Sequence, residues 1–127
     1  MTPAVEAAVA HLQAHFPDRL AVVPQGDGGA RIRVEAMELG APYAQAETWF
    51  GFTVSYLHPY GDIYPHYVRP DLSRLDGAPL GGGLHINNRF AGTPAVMVSR
   101  RTRLLGAAHP VDPVLKLLKV HQWLTSL

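Results

Sequence analysis

Helical periodicity occurs only at the two ends of this chain, and every strand pattern lies between them. A threonine-proline pair opens a stripe of apolar residues at helical spacing over about residues 3–15. Asp112 and Pro113 open a second stripe, in which Lys116 and Lys119 are expected to face water. Elements in this order predict an α+β domain with helices packed on one face of an antiparallel sheet.

Four segments between the helices have strand character. Residues 20–23 and 30–38 flank a Gln-Gly-Asp-Gly-Gly turn, which predicts a hairpin. Residues 49–57 alternate most clearly, and residues 66–69 indicate a short further strand. The predicted sheet is therefore an antiparallel meander of three or four strands. Four aromatic residues of the strongest strand are expected in the core: Trp49, Phe50, Phe52 and Tyr56.

Residues 70–95 are rich in proline, glycine and asparagine, so we expect them to form a long irregular segment. Such a segment is uncommon in a small domain and is usually functional. Its glycine run at 81–83 lacks the Lys-Ser/Thr pair of a phosphate-binding loop and opens no helical pattern. With no internal repeat and a length typical of one domain, residues 1–127 are predicted to fold as a single unit.

Composition limits the classes of function. The 11 Lys/Arg and 10 Asp/Glu residues give a net charge of +1, so bulk charge indicates neither nucleic-acid nor membrane binding. The chain shows no signal-peptide pattern and no apolar run of membrane-spanning length, which favours a cytoplasmic location. It has no cysteine, which excludes disulfides, thiolate metal sites and cysteine catalysis in the chain as it stands.

Several motifs occur at a joint spacing after the strongest strand. A Tyr-Pro pair follows that strand at residues 64–65, and the segment 84–87 reads Leu-His-Ile-Asn. Ten residues after the histidine comes Ala95, with Gly92 three residues before it. In this spacing, and in its order of helices and strands, the chain resembles the ubiquitin-conjugating enzyme family, and its short form is similar to the minimal bacterial branch.

The resemblance implies a ubiquitin-conjugating-like fold with a long active-site loop and a C-terminal crossing helix. It also implies an acyl-transfer reaction, in which a cysteine carries the C-terminus of a ubiquitin-like protein as a thioester and passes it to an amine. Ala95 holds the position of that cysteine, Asn87 is the expected oxyanion donor, and His85 is expected to structure the loop. No cofactor or metal is implied.

The implied partners are a ubiquitin-like protein, its activating enzyme and a JAB-type deconjugating protease, in a bacterial anti-phage system. The chain departs from the family's pattern in lacking the cysteine, in having Ile86 where the motif has proline, and in lacking the tryptophan usual after the cysteine. Three explanations fit Ala95: an engineered Cys-to-Ala change, a naturally inactive relative, or a different register of the motif.

Two other hypotheses stay open. A non-catalytic conjugating-enzyme variant or RWD-like scaffold would bind a ubiquitin-like protein or another partner without chemistry. A metal-dependent enzyme is the third hypothesis, because histidine and carboxylate side chains suit zinc or iron. Its candidate ligands lie around one turn, with a further histidine beyond it: His58, Asp62, His66 and His85.

Overall fold

The computed structural model describes residues 1–127 and contains two helices and six strands. The helices are α1 (Pro3–His15) and α2 (Pro113–Thr125). The strands are β1 (Leu20–Pro24), β2 (Ala30–Glu38), β3 (Glu47–Val54), β4 (His66–Val68), β5 (Leu84–Phe90) and β6 (Thr93–Val98). They form one antiparallel sheet in the order β1-β2-β3-β4-β6-β5. The predicted α+β class and the β1–β2 hairpin are confirmed.

Both helices begin at the caps that the sequence predicts. Thr2 Oγ1 accepts a hydrogen bond from the Val5 N–H at 3.2 Å. Asp112 Oδ1 accepts from the N–H groups of Val114 and Leu115 at 2.9 and 3.1 Å. These bonds satisfy amide groups that have no partner within the helix. Neither helix combines the length and apolar character that crossing a bilayer requires.

A single cluster of 25 buried apolar residues joins the helices to the sheet. Leu12 of α1 and Leu117 of α2 are both fully buried in it, together with Phe50 and Phe52 of β3. Burying side chains of this size is worth roughly 1.5–3 kcal/mol each. Both helices therefore cover the same face of the sheet, which is called the inner face below.

Three predictions about individual side chains are wrong. Trp49 is only half-buried and lies outside the core cluster, because its side chain points away from the inner face. Tyr56 is 52% exposed, because β3 ends at Val54 and the chain then enters a turn. Lys116 is only 8% exposed, because its ammonium group finds oxygen acceptors on neighbouring segments. Lys119 is exposed, as predicted.

The long active-site loop and the limit of four strands are also wrong, because residues 84–98 form the β5–β6 hairpin. β5 is an edge strand with mostly exposed side chains, so its residues lack the alternation that marks a half-buried strand. β6 contains Pro94, a residue normally depleted in strands. The irregular part of the segment is therefore confined to the residues before Leu84.

Candidate functional site

The β5–β6 hairpin holds all three residues that the resemblance assigns to catalysis. His85 and Asn87 lie on β5, and both are exposed. Ala95 lies on β6, directly opposite Asn88, while His85 lies opposite Met97. The structure therefore brings the predicted residues onto one element, but that element is a regular hairpin.

A β-bulge sets the geometry of Asn87. Ile86 and Asn87 together oppose one residue of β6, and Asn87 has a φ of +63°, a left-handed conformation that asparagine tolerates. The Asn88 amide donates hydrogen bonds to the main-chain oxygens of His85 at 3.1 Å and Ile86 at 3.2 Å. The backbone around Asn87 is thus fixed from within β5.

Ala95 is almost completely enclosed, with 2% of its surface exposed. Its strand neighbours Val96 and Val98 belong to the core cluster on the inner face. Because side chains alternate along a strand, Ala95 points to the opposite, outer face of the sheet. A side chain at this position is therefore covered, although it lies away from the helices.

Phe90, near the tip of the hairpin, lies over the outer face. Its ring centroid is 5.2 Å from that of Tyr67 and 6.2 Å from that of Trp49. A Cβ added to Gly51 would lie 2.5 Å from the Phe90 ring. The ring can therefore pack here only because residue 51 has no side chain. The end of the hairpin is therefore packed onto the sheet.

A second polar arrangement was not predicted and joins three separate segments. The carboxylate of Asp62 accepts hydrogen bonds from the N–H and the hydroxyl of Thr102, both at 2.8 Å. Lys116 Nζ lies 3.3 Å from Asp62 Oδ1. It also donates to the main-chain oxygen of Arg100 at 2.7 Å and to Thr102 Oγ1 at 2.9 Å. We call these three side chains the Asp62–Thr102–Lys116 network.

Burial and charge shift the pKa values in this region. Burial would raise the pKa of Asp62, but the hydrogen bonds from Thr102 and the charge of Lys116 outweigh it and lower that pKa. Burial lowers the pKa of Lys116, against the opposing effect of Asp62. Burial, assisted by the charge of Lys116, lowers the pKa of the enclosed His66 to about 3. The network is therefore an ion pair next to a neutral imidazole.

The four residues of the metal hypothesis are not assembled into a site. Nowhere in the chain do three or more His, Asp or Glu side chains converge as metal ligands. Both ring nitrogens of His66 lack a hydrogen-bond partner, and the ring packs 5.1 Å from that of Phe52. Asp62 is engaged by Thr102 and Lys116, so the geometry gives the metal hypothesis no support.

Comparison with protein-family models, curated proteins and solved structures finds no match to this chain. The function is therefore inferred from the residues of the chain and their geometry.

Proposed function

We propose that this chain is a ubiquitin-conjugating-like domain that binds a ubiquitin-like protein, or another protein of its conjugation machinery, without carrying it as a thioester. The observation that carries this proposal is the enclosure of Ala95 on a paired strand, with 2% exposure and no cysteine elsewhere. The proposal assigns the chain to the conjugation pathway as a binding module.

Several features support the conjugating-like part of the proposal. α1 precedes four consecutive antiparallel strands, and α2 closes the domain against the same face. The Tyr64-Pro65 pair lies between β3 and β4, where the resemblance expects it. The β5–β6 hairpin is the departure from the expected pattern, since it replaces the active-site loop.

The chemistry of thioesters supports the non-catalytic part. An acyl carrier needs a thiolate that a protein-sized donor can reach, because the sulfur both attacks and later leaves. Alanine offers only a methyl group, and the position itself is covered. Binding requires neither a nucleophile nor an open position at residue 95.

A second candidate is the acyl carrier itself, in a form with cysteine at position 95. The observation that favours it is that Asn87 lies in the bulge next to Asn88, which faces Ala95 across the hairpin. In that form Asn87 would donate to the oxyanion and His85 would hold the loop. Because Ala95 is only 2% exposed, this mechanism requires position 95 to become uncovered.

Two measurements separate the candidates, using the activating enzyme and ubiquitin-like protein of a bacterial conjugation system. Calorimetric titration tests whether the unmodified chain binds the ubiquitin-like protein or the activating enzyme. A charging assay with ATP tests Ala95→Cys, with Thr93→Cys as an exposed control on the same strand, read by intact mass and non-reducing gel.

Binding by the unmodified chain with no adduct on Ala95→Cys is the expected result. A reductant-sensitive adduct on Ala95→Cys, absent from Thr93→Cys, would establish the acyl carrier. If partners that are active with each other give neither binding nor adduct, both candidates are wrong.

A further inference from the structure

Charge is divided unevenly along the chain. Residues 1–76 contain five Lys/Arg and nine Asp/Glu residues, whereas residues 77–127 contain six and one. A net charge close to zero therefore conceals an acidic part followed by a basic part. An uneven distribution of this kind favours oriented contact with a charged partner.

The basic residues of the two parts differ in how they are neutralised. Three arginines of the acidic part each pair with a carboxylate two positions later, in the pairs Arg33–Glu35, Arg69–Asp71 and Arg74–Asp76. Four cations of the basic part make no ion pair and no side-chain hydrogen bond: Arg100, Arg101, Arg103 and Lys119. All four line one cleft, between the segment after β6 and helix α2.

Two of the three arginines of this cleft stack on aromatic rings. The Arg100 guanidinium lies 4.7 Å from the ring centroid of Trp123, and that of Arg101 lies 3.9 Å from the ring centroid of Tyr64. Lys116 fixes the same segment through its hydrogen bond to the Arg100 main-chain oxygen. The guanidinium groups of Arg100 and Arg101 are thus positioned by stacking, while their N–H groups have no acceptor within the chain.

The cleft consists of two adjoining cavities of about 230 Å³ each, which share Thr102, Lys116 and Lys119. The first is lined by the three arginines and Trp123. The second has an apolar side, made by Leu104, Val111 and Leu115. A ligand that fills both cavities would place negative charge in the first and an apolar group in the second.

We propose that this cleft binds an acidic peptide segment of a partner protein, with carboxylates at the arginines and an apolar side chain in the second cavity. The planar N–H fork of arginine matches a carboxylate, and unneutralised cations make this contact favourable. A single-stranded nucleic acid fits less well, because it binds by stacking bases on aromatic rings. Here Trp123 and Tyr64 each already carry a guanidinium.

This inference goes beyond the proposed function, because it places partner binding at the cleft and does not depend on what position 95 does. Its test uses fluorescence anisotropy of the whole chain with three labelled probes. The first is a 12-residue peptide of alternating Asp and Leu, the second replaces Asp by Asn, and the third is a 12-nucleotide oligothymidine.

Saturable binding of the Asp-Leu peptide is expected, at least tenfold tighter than binding of the Asn-Leu peptide and weaker at 300 mM than at 50 mM salt. The double variant R100Q/R103Q should bind it about five- to tenfold more weakly, and Leu115→Ser at least threefold more weakly. The matched control R31Q/R89Q removes two cations outside the cleft. Its affinity for the Asp-Leu peptide should stay within twofold of that of the unmodified chain.

Three results would overturn the inference. The first is that R100Q/R103Q binds the Asp-Leu peptide as tightly as the unmodified chain does, or that the unmodified chain does not bind it. The second is tighter binding of the oligothymidine than of the Asp-Leu peptide. The third is a dimer in light scattering that R100Q/R103Q dissolves, since the acidic part of a second copy would then occupy the cleft. None of the probes contains a ubiquitin-like protein, so this test and that of the proposed function can fail separately.

Discussion

The ammonium group of Lys116 lies 3.3 Å from the carboxylate of Asp62, and the two side chains are only 8% and 12% exposed. Thr102 bonds to both of them, so the pair ties together the turn before β4, the segment after β6 and helix α2. A buried pair of this kind is costly to break from one side only, because the remaining charge stays buried.

Lys116→Met is therefore expected to destabilise the fold by about 3 kcal/mol, since it leaves the Asp62 charge without its partner. Urea unfolding at neutral pH measures the change. Lys119→Met is the matched control on the same helix, and its cost should stay below about 0.5 kcal/mol because Lys119 is exposed and unpaired. Equal stability of the two variants would mean that the buried pair contributes nothing.

His66 should make stability depend on pH. Its pKa is lowered from the ordinary 6.5 to about 3 by burial, so the folded chain keeps it neutral while the unfolded chain protonates it below about pH 6.5. The unfolded state then binds more protons, and stability should fall by about 2 kcal/mol between pH 7 and pH 5. Across this pH range, the free energy of unfolding should change less steeply with pH in His66→Leu than in the unmodified chain.

Phe52→Leu is the control for that experiment, because its ring packs against His66 but does not titrate. It should lower stability by a similar amount at every pH and leave the slope unchanged. A slope that persists in His66→Leu would assign the pH dependence to other groups.

The enclosure of position 95 can be tested with a single thiol, because the chain has no cysteine of its own. Ala95→Cys should react with Ellman's reagent about a hundredfold more slowly than Asn87→Cys, since only residue 87 is exposed. Both variants should react equally fast in urea. Rapid reaction of the folded Ala95→Cys protein would show an open position and would favour the acyl carrier.

Gly51 and Phe90 should be energetically coupled. A methyl group on Gly51 would meet the Phe90 ring at 2.5 Å, so Gly51→Ala should cost about 1–3 kcal/mol through overpacking. In a Phe90→Ala background the same change should cost at least 1 kcal/mol less, because the obstructing ring is gone. A double-mutant cycle by urea unfolding measures the difference, and strict additivity would contradict the packing of the hairpin tip on the sheet.

Local features predicted much of the fold. Thr2 and Asp112 cap the two helices because short polar side chains satisfy free amide groups, and this effect depends on neighbouring residues alone. Phe50 and Phe52 of β3 lie two residues apart because alternate side chains of a strand share one face, and that face is buried against the helices. No such pattern marks β5, because it is an edge strand with mostly exposed side chains.

The functional region was harder to predict. Lys116 faces away from water because of acceptors on Asp62, Arg100 and Thr102, and no sequence spacing links these segments to helix α2. The stacking of Arg100 on Trp123 likewise joins the segment after β6 to helix α2, and no sequence spacing indicates it. One feature of the sequence does indicate the basic cleft. Residues 77–111 contain no Asp or Glu, so the arginines there have no carboxylate nearby in the sequence.

The bulge in β5 changes what the edge of the sheet offers to other molecules. An edge strand normally offers a row of free main-chain groups, to which strands of other molecules can add and begin aggregation. In β5 the Asn88 amide already occupies the oxygens of His85 and Ile86, and the left-handed turn at Asn87 interrupts the row. The edge strand β5 is thereby protected against uncontrolled β-pairing between molecules.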